Sequence, residues 1–468
     1  MITTSRRPWI VFLIAALILA GMGSLASAQS TPEMPPVAPP AGTSVSKVAE
    51  VANLQKVHAD ELGVVPVMMY HAFTSDPSLA AEYVKTLDDF RSDLQWLYDH
   101  DFHVISVRNL LENRIDVPAG KHPVVLTFDD SLASQFLIDK GPDGTYTPRP
   151  ASGVGVLESF FARHPDFGHT GFFAVVPNYC FSDSEIDEIN AYATCDVKIA
   201  WLVAHGYEIG NHTLTHTDLG KSTPDQFAEE VGGTAQWIDE RVTGPANMSR
   251  TLVLPYGGRP DPKSNQDVFV MLRDGFWYQG QQIILNGVFD VGGGPAYSPS
   301  SSAWKAANLP RVNADPSVLD YWFTQFTNGD VILYTSDGNP DTVTVPNPIP
   351  DFLENEFDPQ VIADSGKQLV RYDTADVREP SASTTTGGTS PNADAFVVGA
   401  AVITTDDGVR LRSDPSTEGD ILATLGQNKN LTIKGGPVEA NGFTWWQVTT
   451  HRGTTGWIVE DFLANAPS

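Results

Sequence analysis

The chain has 468 residues and carries 57 acidic against 29 basic side chains, a formal charge of -28 at pH 7. A field of that sign repels polyphosphate and argues against a nucleic-acid partner. With 41% hydrophobic residues the chain can bury a large core, and with 2 Cys it is neither a disulfide-rich scaffold nor an iron–sulfur protein.

The N-terminus reads as an export signal over residues 1–28. Arg6 and Arg7 precede an apolar run over 10–20, and Ala26-Ser27-Ala28 offers a small-residue cleavage site. The run is shorter than the ~20 residues a membrane span needs. The mature chain is therefore expected to start near Gln29, to lack a stable span, and to be secreted or held at the cell surface or wall. Residues 29–60 open with five prolines and read as a spacer. A Ser/Thr/Gly-rich stretch over 376–394 reads as a linker. It separates a large body, 61–375, from a tail domain, 395–468.

Within the body, residues 64–70 form an apolar run ending at His71. Phe90, Leu94 and Leu97 follow at helical spacing, with Thr86 placed to cap that helix. Residues 104–107 read as a short strand. Residues 124–128 read as a buried strand that runs into Asp129-Asp130. Strands are expected again at 171–176, 206–209 (leading to Asn211-His212), 252–254 (leading to Pro255-Tyr256) and 331–334 (leading to Thr335), with a helix at 198–203. Apolar strands alternating with helices indicate an α/β architecture. Polar residues repeatedly follow the strand ends, as in a barrel with its site at the C-terminal mouth.

Two clusters carry chemistry. Adjacent carboxylates after an apolar strand are costly unless neutralised, although the pair could also cap a following helix. His212 and His216 lie four apart, on one face if the segment is helical, or converging if it is a compact loop. Carboxylate plus imidazole suits zinc or a related divalent ion.

Thr127-Phe128-Asp129-Asp130, His212-Thr213-Leu214-Thr215-His216, Gly171-Phe172-Phe173-Ala174-Val175, Pro255-Tyr256-Gly257 and Gly329-Asp330-Val331-Ile332-Leu333 together resemble, in order and spacing, the motifs of the polysaccharide deacetylase family of carbohydrate esterases. The resemblance implies a distorted (β/α) barrel. It implies one divalent ion, zinc before cobalt, nickel or manganese, on Asp130, His212 and His216. Asp129 would be the general base towards water, and the backbone N–H of Tyr256 an oxyanion donor. The activity implied is removal of N-acetyl groups from an extracellular amino-sugar polysaccharide such as poly-N-acetylglucosamine, peptidoglycan or chitin.

The chain departs from that pattern at three positions. Val253 stands where the family has an arginine, Thr335 where it has a histidine acting as general acid, and Ser131 where glycine is common. Either the domain is a degenerate glycan-binding relative, or replacements come from elsewhere. The run Pro66-Val67-Met68-Met69-Tyr70-His71 resembles the opening strand of the extracellular poly-N-acetylglucosamine branch, where the terminal histidine is the acid, which implies that role for His71. Arg311 is the candidate for orienting the base. An O-acetyl esterase acting on xylan is the alternative within the same fold.

The aromatics of 272–304 read either as core or as sugar platforms. Cys180 and Cys195 are expected to form one disulfide in an exported protein, with two buried thiols as the alternative. In the tail, short alternating strands indicate a small all-β barrel. It resembles a bacterial SH3-like domain through Gly408-Val409-Arg410-Leu411-Arg412, Trp445-Trp446 and Gly456-Trp457. That resemblance implies a module that binds cell-wall peptide or glycan. Of its tryptophans, Trp446 and Trp457 read as core and Trp445 as partly exposed.

Overall fold

The structure is a computed structural model and describes residues 53–182, 188–350, 353–374, 396, 398–405, 409–416, 421–427, 429–440, 443–450 and 454–466. The expected signal 1–28, most of the spacer and the linker 376–394 lie outside these residues. The end of the expected spacer does not: residues 53–57 are helical, and Leu54 and Ala59 pack against Tyr372.

Seven strands build the large body: β1 (Val67–Tyr70), β2 (His122–Phe128), β3 (Phe172–Val175), β4 (Glu208–Asn211), β5 (Asn247–Val253), β6 (Gly287–Gly293) and β7 (Leu309–Asn313). Each pairs in parallel with its neighbour in chain order. β7 pairs with β1 through Met68↔Val312 and Met69↔Asn313, which closes the ring. A closed ring leaves no edge with unpaired N–H and C=O groups. It also needs strands apolar on both faces, since helices cover the outside. β2 shows this, with every residue from Pro123 to Phe128 buried.

The helices follow from local signals. Leu87–Asp99 is capped by Thr86, whose side chain accepts from the Asp89 N–H, and it buries Phe90, Leu94 and Leu97 as their spacing requires. Helices Gly153–Arg163 and Cys195–Ala204 fill the connections on either side of β3. Because all seven strands run the same way, their C-terminal ends share one rim. His71, Asp129, Asp130 and His212 follow directly on those ends.

The strand expected at 331–334 is not one. Leu333 and Thr335 make only single bridges, to Val64 and Asp60. Thr335 lies beside His122, with Oγ1 3.3 Å from its Nδ1. His122 opens β2, so Thr335 sits at the rim opposite Asp129. The short strand added outside the ring is Phe102–Val104, which pairs in parallel with His122–Val124 of β2, while Leu333 and Thr335 have, among the described residues, those two bridges alone as strand pairing.

The tail is a separate seven-stranded antiparallel sheet running from Ala401–Thr404 to Leu463–Asn465, with its own core of Val402, Leu411, Ile433, Trp446, Val448 and Ile458. Both Trp445 and Trp446 are buried, and Trp457 is half-buried. Trp445 therefore departs from its expected partial exposure. Its indole N–H donates to the Ala440 carbonyl, and that of Trp446 donates to Glu460. Those partners make burial of both faces tolerable.

Cys180 and Cys195 are bonded, fifteen positions apart in the sequence. Replacing both by serine is expected to lower stability by about 3 kcal/mol through loop-closure entropy. Urea unfolding of the double variant against the parent would measure it.

Candidate metal and catalytic centre

The donor atoms of Asp130, His212 and His216 lie within 4.8 Å of one another. Asp130 Oδ1 is 3.1 Å from His212 Nε2 and 3.0 Å from His216 Nε2. Nδ1 of His212 is 2.9 Å from the Val253 carbonyl. A carbonyl can only accept, so Nδ1 is protonated and Nε2 is left as the ring nitrogen that faces Asp130. Two imidazole nitrogens and a carboxylate oxygen converging at about 3 Å are the donor types and spacing that one divalent cation would bridge. The donor set therefore fits a divalent ion held by one carboxylate and two imidazoles, with further positions open. Burial pushes the Asp130 carboxyl up, yet the two imidazoles hold it well below the usual carboxylate range.

The His212–His216 segment is the compact loop, not the helix, of the two readings open in the sequence. Thr213 and His216 both adopt positive φ, at 64° and 62°. The strand leading into it comes very close to β3: a Cβ at Gly210 would lie 1.9 Å from Phe172 Cζ. Only glycine permits that approach. At the end of β2 the chain turns sharply, with Asp130 and Ser131 at φ 72° and 51°. That turn lets Asp129 and Asp130 serve one site although successive strand residues face apart. Ser131 ties the turn to β3, since its hydroxyl donates to the Val176 carbonyl and accepts from the Val176 N–H.

Asp129 is 1% exposed, and Arg311, from β7, is fully buried. The guanidinium grips both carboxylate oxygens at 2.7 Å, donates to Thr127 Oγ1 at 3.0 Å, and donates through Nε to the Asp290 carbonyl at 2.8 Å. Burial alone would raise the Asp129 carboxyl, and the Arg311 charge with its hydrogen bonds brings it below its ordinary value. Val253 occupies the family's arginine position on β5. The guanidinium reaches Asp129 from β7 instead.

His71 stands at the same rim, with Nε2 3.7 Å from Asp129 Oδ2. Burial lowers its pKa, against the pull of Asp129 and Asp130. Tyr256 follows β5 with φ 57°, its ring 4.5 Å from that of His216 and 71% exposed. Arg259, on the same loop, is anchored by Asp290 at 2.9 Å.

The sequence reading missed several neighbours. Gln135 is buried and donates to the backbone carbonyls of both His71 and Asp129. Two more exposed tyrosines stand at the mouth: Tyr83, 4.7 Å from the His71 ring, and Tyr179, 6.5 Å from the His216 ring. Neither has a local signal, because each is brought in by the turn of a connecting loop. Of the aromatics in 272–304, Phe289 lies in the core and Trp304 packs on a core cluster of the barrel, while Trp277 belongs to a separate hairpin.

Residues 184–268 match the family model for polysaccharide deacetylases, and residues 407–464 match that for bacterial SH3 domains. The chain carries a polysaccharide deacetylase domain and a bacterial SH3 domain. YxkH of Bacillus subtilis (strain 168) is 22% identical over 177 residues, which cover 37% of this chain and 51% of YxkH, so the chain spans about half the length of this curated relative. Among solved structures, the Streptococcus pyogenes deacetylase PplD in complex with acetate is 18% identical, covering 53% of this chain and 92% of that one at a TM-score of 0.37. IcaB from Ammonifex degensii is 17% identical, covering 56% and 96% at a TM-score of 0.37.

In the large body, removing the Arg311 guanidinium leaves a buried carboxylate without its counter-charge. Arg311→Met is expected to cost about 3–5 kcal/mol, read as a lower urea midpoint of the metal-free protein.

Proposed function

We propose that this protein is a metal-dependent hydrolase that removes N-acetyl groups from an extracellular amino-sugar polysaccharide: poly-N-acetylglucosamine, peptidoglycan or a chitin-like polymer. The observation that carries this reading is the convergence of Asp130, His212 and His216 beside a carboxylate, Asp129, that is held outside their cluster by Arg311. Zinc is the first candidate for the ion, before cobalt, nickel or manganese. An ion held by Asp130, His212 and His216 would supply Lewis acidity towards the acetyl carbonyl and would bring the pKa of a water down towards ~7.

Asp129 is the general base. Its pairing with Arg311 makes it a weak one, so its service depends on that acidified water. His71 is the general acid, and it protonates the amine nitrogen as the carbon–nitrogen bond breaks. The proton taken by Asp129 lies one short step from His71 Nε2, 3.7 Å away. Water oxygen goes to the acetyl carbon, leaving acetate and a free amine. The backbone N–H of Tyr256 faces the developing oxyanion. An ester leaves without such help, so a histidine at this rim favours the amide substrate over an O-acetyl ester.

The exposed rings of Tyr83, Tyr179 and Tyr256 offer faces for sugar rings. In this reading 1–28 is removed on export, the part of 29–60 before Asn53 and the stretch 376–394 are spacers, the following body up to 375 is catalytic, and 395–468 binds the cell wall. Among the described residues no helix is long and apolar enough to cross a membrane.

Acetate release from poly-N-acetylglucosamine, peptidoglycan, chitin oligomers and acetylxylan, with and without chelator, tests the proposal. The expected result is release from an amino-sugar polymer, lost with chelator and restored by zinc. Asp129→Asn and His71→Ala should each lower turnover by about 10²–10⁴-fold. Release from acetylxylan alone would transfer the activity to O-acetyl esters. Zinc uptake without acetate from any polymer would leave a binding protein, and near-normal turnover in His71→Ala would remove the acid role.

A further inference from the structure

Between β4 and β5 the chain makes one continuous helical run with an irregular middle. Pro224–Phe227 and Gly233–Asp239 are α-helical, and Ala228–Gly232 is a π-turn. Isolated π-turns are rare and concentrate at functional sites. Gly232 and Gly233, adjacent within this run, each cost roughly 1 kcal/mol relative to alanine in a helix interior. Neither feature serves the helix itself.

Both are explained by what lies on either side. On one side Tyr278, from the hairpin Phe276–Tyr278 and Gln281–Ile283, packs into the space left by Gly232. A Cβ at Gly232 would lie 2.4 Å from Tyr278 Cγ. The Tyr278 hydroxyl donates to Glu229 Oε2 at 3.1 Å. On the other side lies the His212–His216 loop. Glu230 Oε2 accepts the Thr215 N–H at 2.9 Å, and Oε1 accepts the hydroxyls of Thr215 at 2.6 Å and Thr217 at 2.9 Å. The Glu230 carbonyl accepts the Leu214 N–H at 3.1 Å. Asn211 extends the strap, its Nδ2 donating to the Val231 carbonyl at 2.8 Å and its Oδ1 accepting the Thr213 N–H at 3.0 Å.

The strapped loop is the one that holds Thr213 and His216 at positive φ, which is unfavourable for a β-branched residue such as Thr213. A backbone of that kind persists only where its surroundings over-determine it. Thr215 and Thr217 flank His216 on both sides, so a single carboxylate fixes the main chain that aims its imidazole.

We infer that Glu230 is a positioning residue for the metal centre. On a helical turn that packs against Tyr278 through Gly232 and Glu229, it locks the loop so that Nε2 of His216 meets Nε2 of His212 and Oδ1 of Asp130. This rests on the reading of Asp130, His212 and His216 as metal ligands. Glu230 is not itself a ligand; it touches His216 only through its two threonine neighbours.

The test uses the full chain as Glu230→Ala and Glu230→Gln. Zinc affinity is measured by competition with a chromophoric chelator, and thermal unfolding is followed on the metal-free proteins. Glu230→Ala is expected to bind zinc about 10- to 100-fold more weakly while the metal-free protein unfolds close to the parent. Glu230→Gln keeps one acceptor oxygen for the hydroxyls and should recover part of the affinity. Parental zinc affinity in Glu230→Ala overturns the inference. If that variant does not fold, Thr217→Val, which removes one hydroxyl bond, takes its place. About a fivefold loss of zinc affinity is expected there, and unchanged affinity overturns the inference. A parent chain that takes up no zinc overturns the metal reading itself, an outcome distinct from equal zinc uptake by parent and variant.

Discussion

Asp129 and Arg311 meet in a space that excludes water, and the organisation of the site depends on that pair. A buried carboxylate is tolerable only against a counter-charge with matched geometry, and a guanidinium gripping both oxygens provides one. The pair joins β2 to β7, two strands that flank β1 in the ring. It therefore holds the barrel together at the rim where chemistry is possible. It also separates two carboxylates adjacent in sequence into different roles. Asp129 is paired with Arg311, and Asp130 is left to the imidazoles.

Parallel pairing does the rest of the placement. Seven strands running one way put seven C-terminal ends on one rim, so residues as far apart as His71, Asp130, His212 and Arg311 converge without long excursions of the chain. Only short-range turning remains, and it is concentrated there. Tyr83, Asp130, Ser131, Thr213, His216 and Tyr256 all adopt positive φ. Such conformations cost of order 1–3 kcal/mol each. They are held by specific contacts: Ser131 on Val176, Arg259 on Asp290, and Glu230 on the threonines around His216.

The tail domain obeys a different constraint. Its antiparallel sheet is small, and two adjacent tryptophans are buried on it because each indole N–H finds an acceptor. Among the described residues, its core contains none from the barrel.

Much of this was legible in the residues alone. Apolar strand runs ending in Asp129-Asp130 and Asn211-His212 announce an α/β body with chemistry after the strands, because a fully apolar strand must be buried on both faces. Thr86 and the Phe90, Leu94, Leu97 spacing announce their helix for an equally local reason. The carboxylate–imidazole combination, with the family resemblance, pointed to Asp130, His212 and His216. Three things were decided only by the folded chain. Ring closure through β1 and β7 brought Arg311 to Asp129, and a bridge to Asp60 beside His122 set Thr335 at the far rim. The loop form of the His212–His216 segment depends on Glu230, supplied by a helix that follows it. The mouth tyrosines are carried in by loops with no periodic signal. Propensity and spacing act over a few residues, whereas which charge meets which carboxylate is settled by strand register and by where the ring closes.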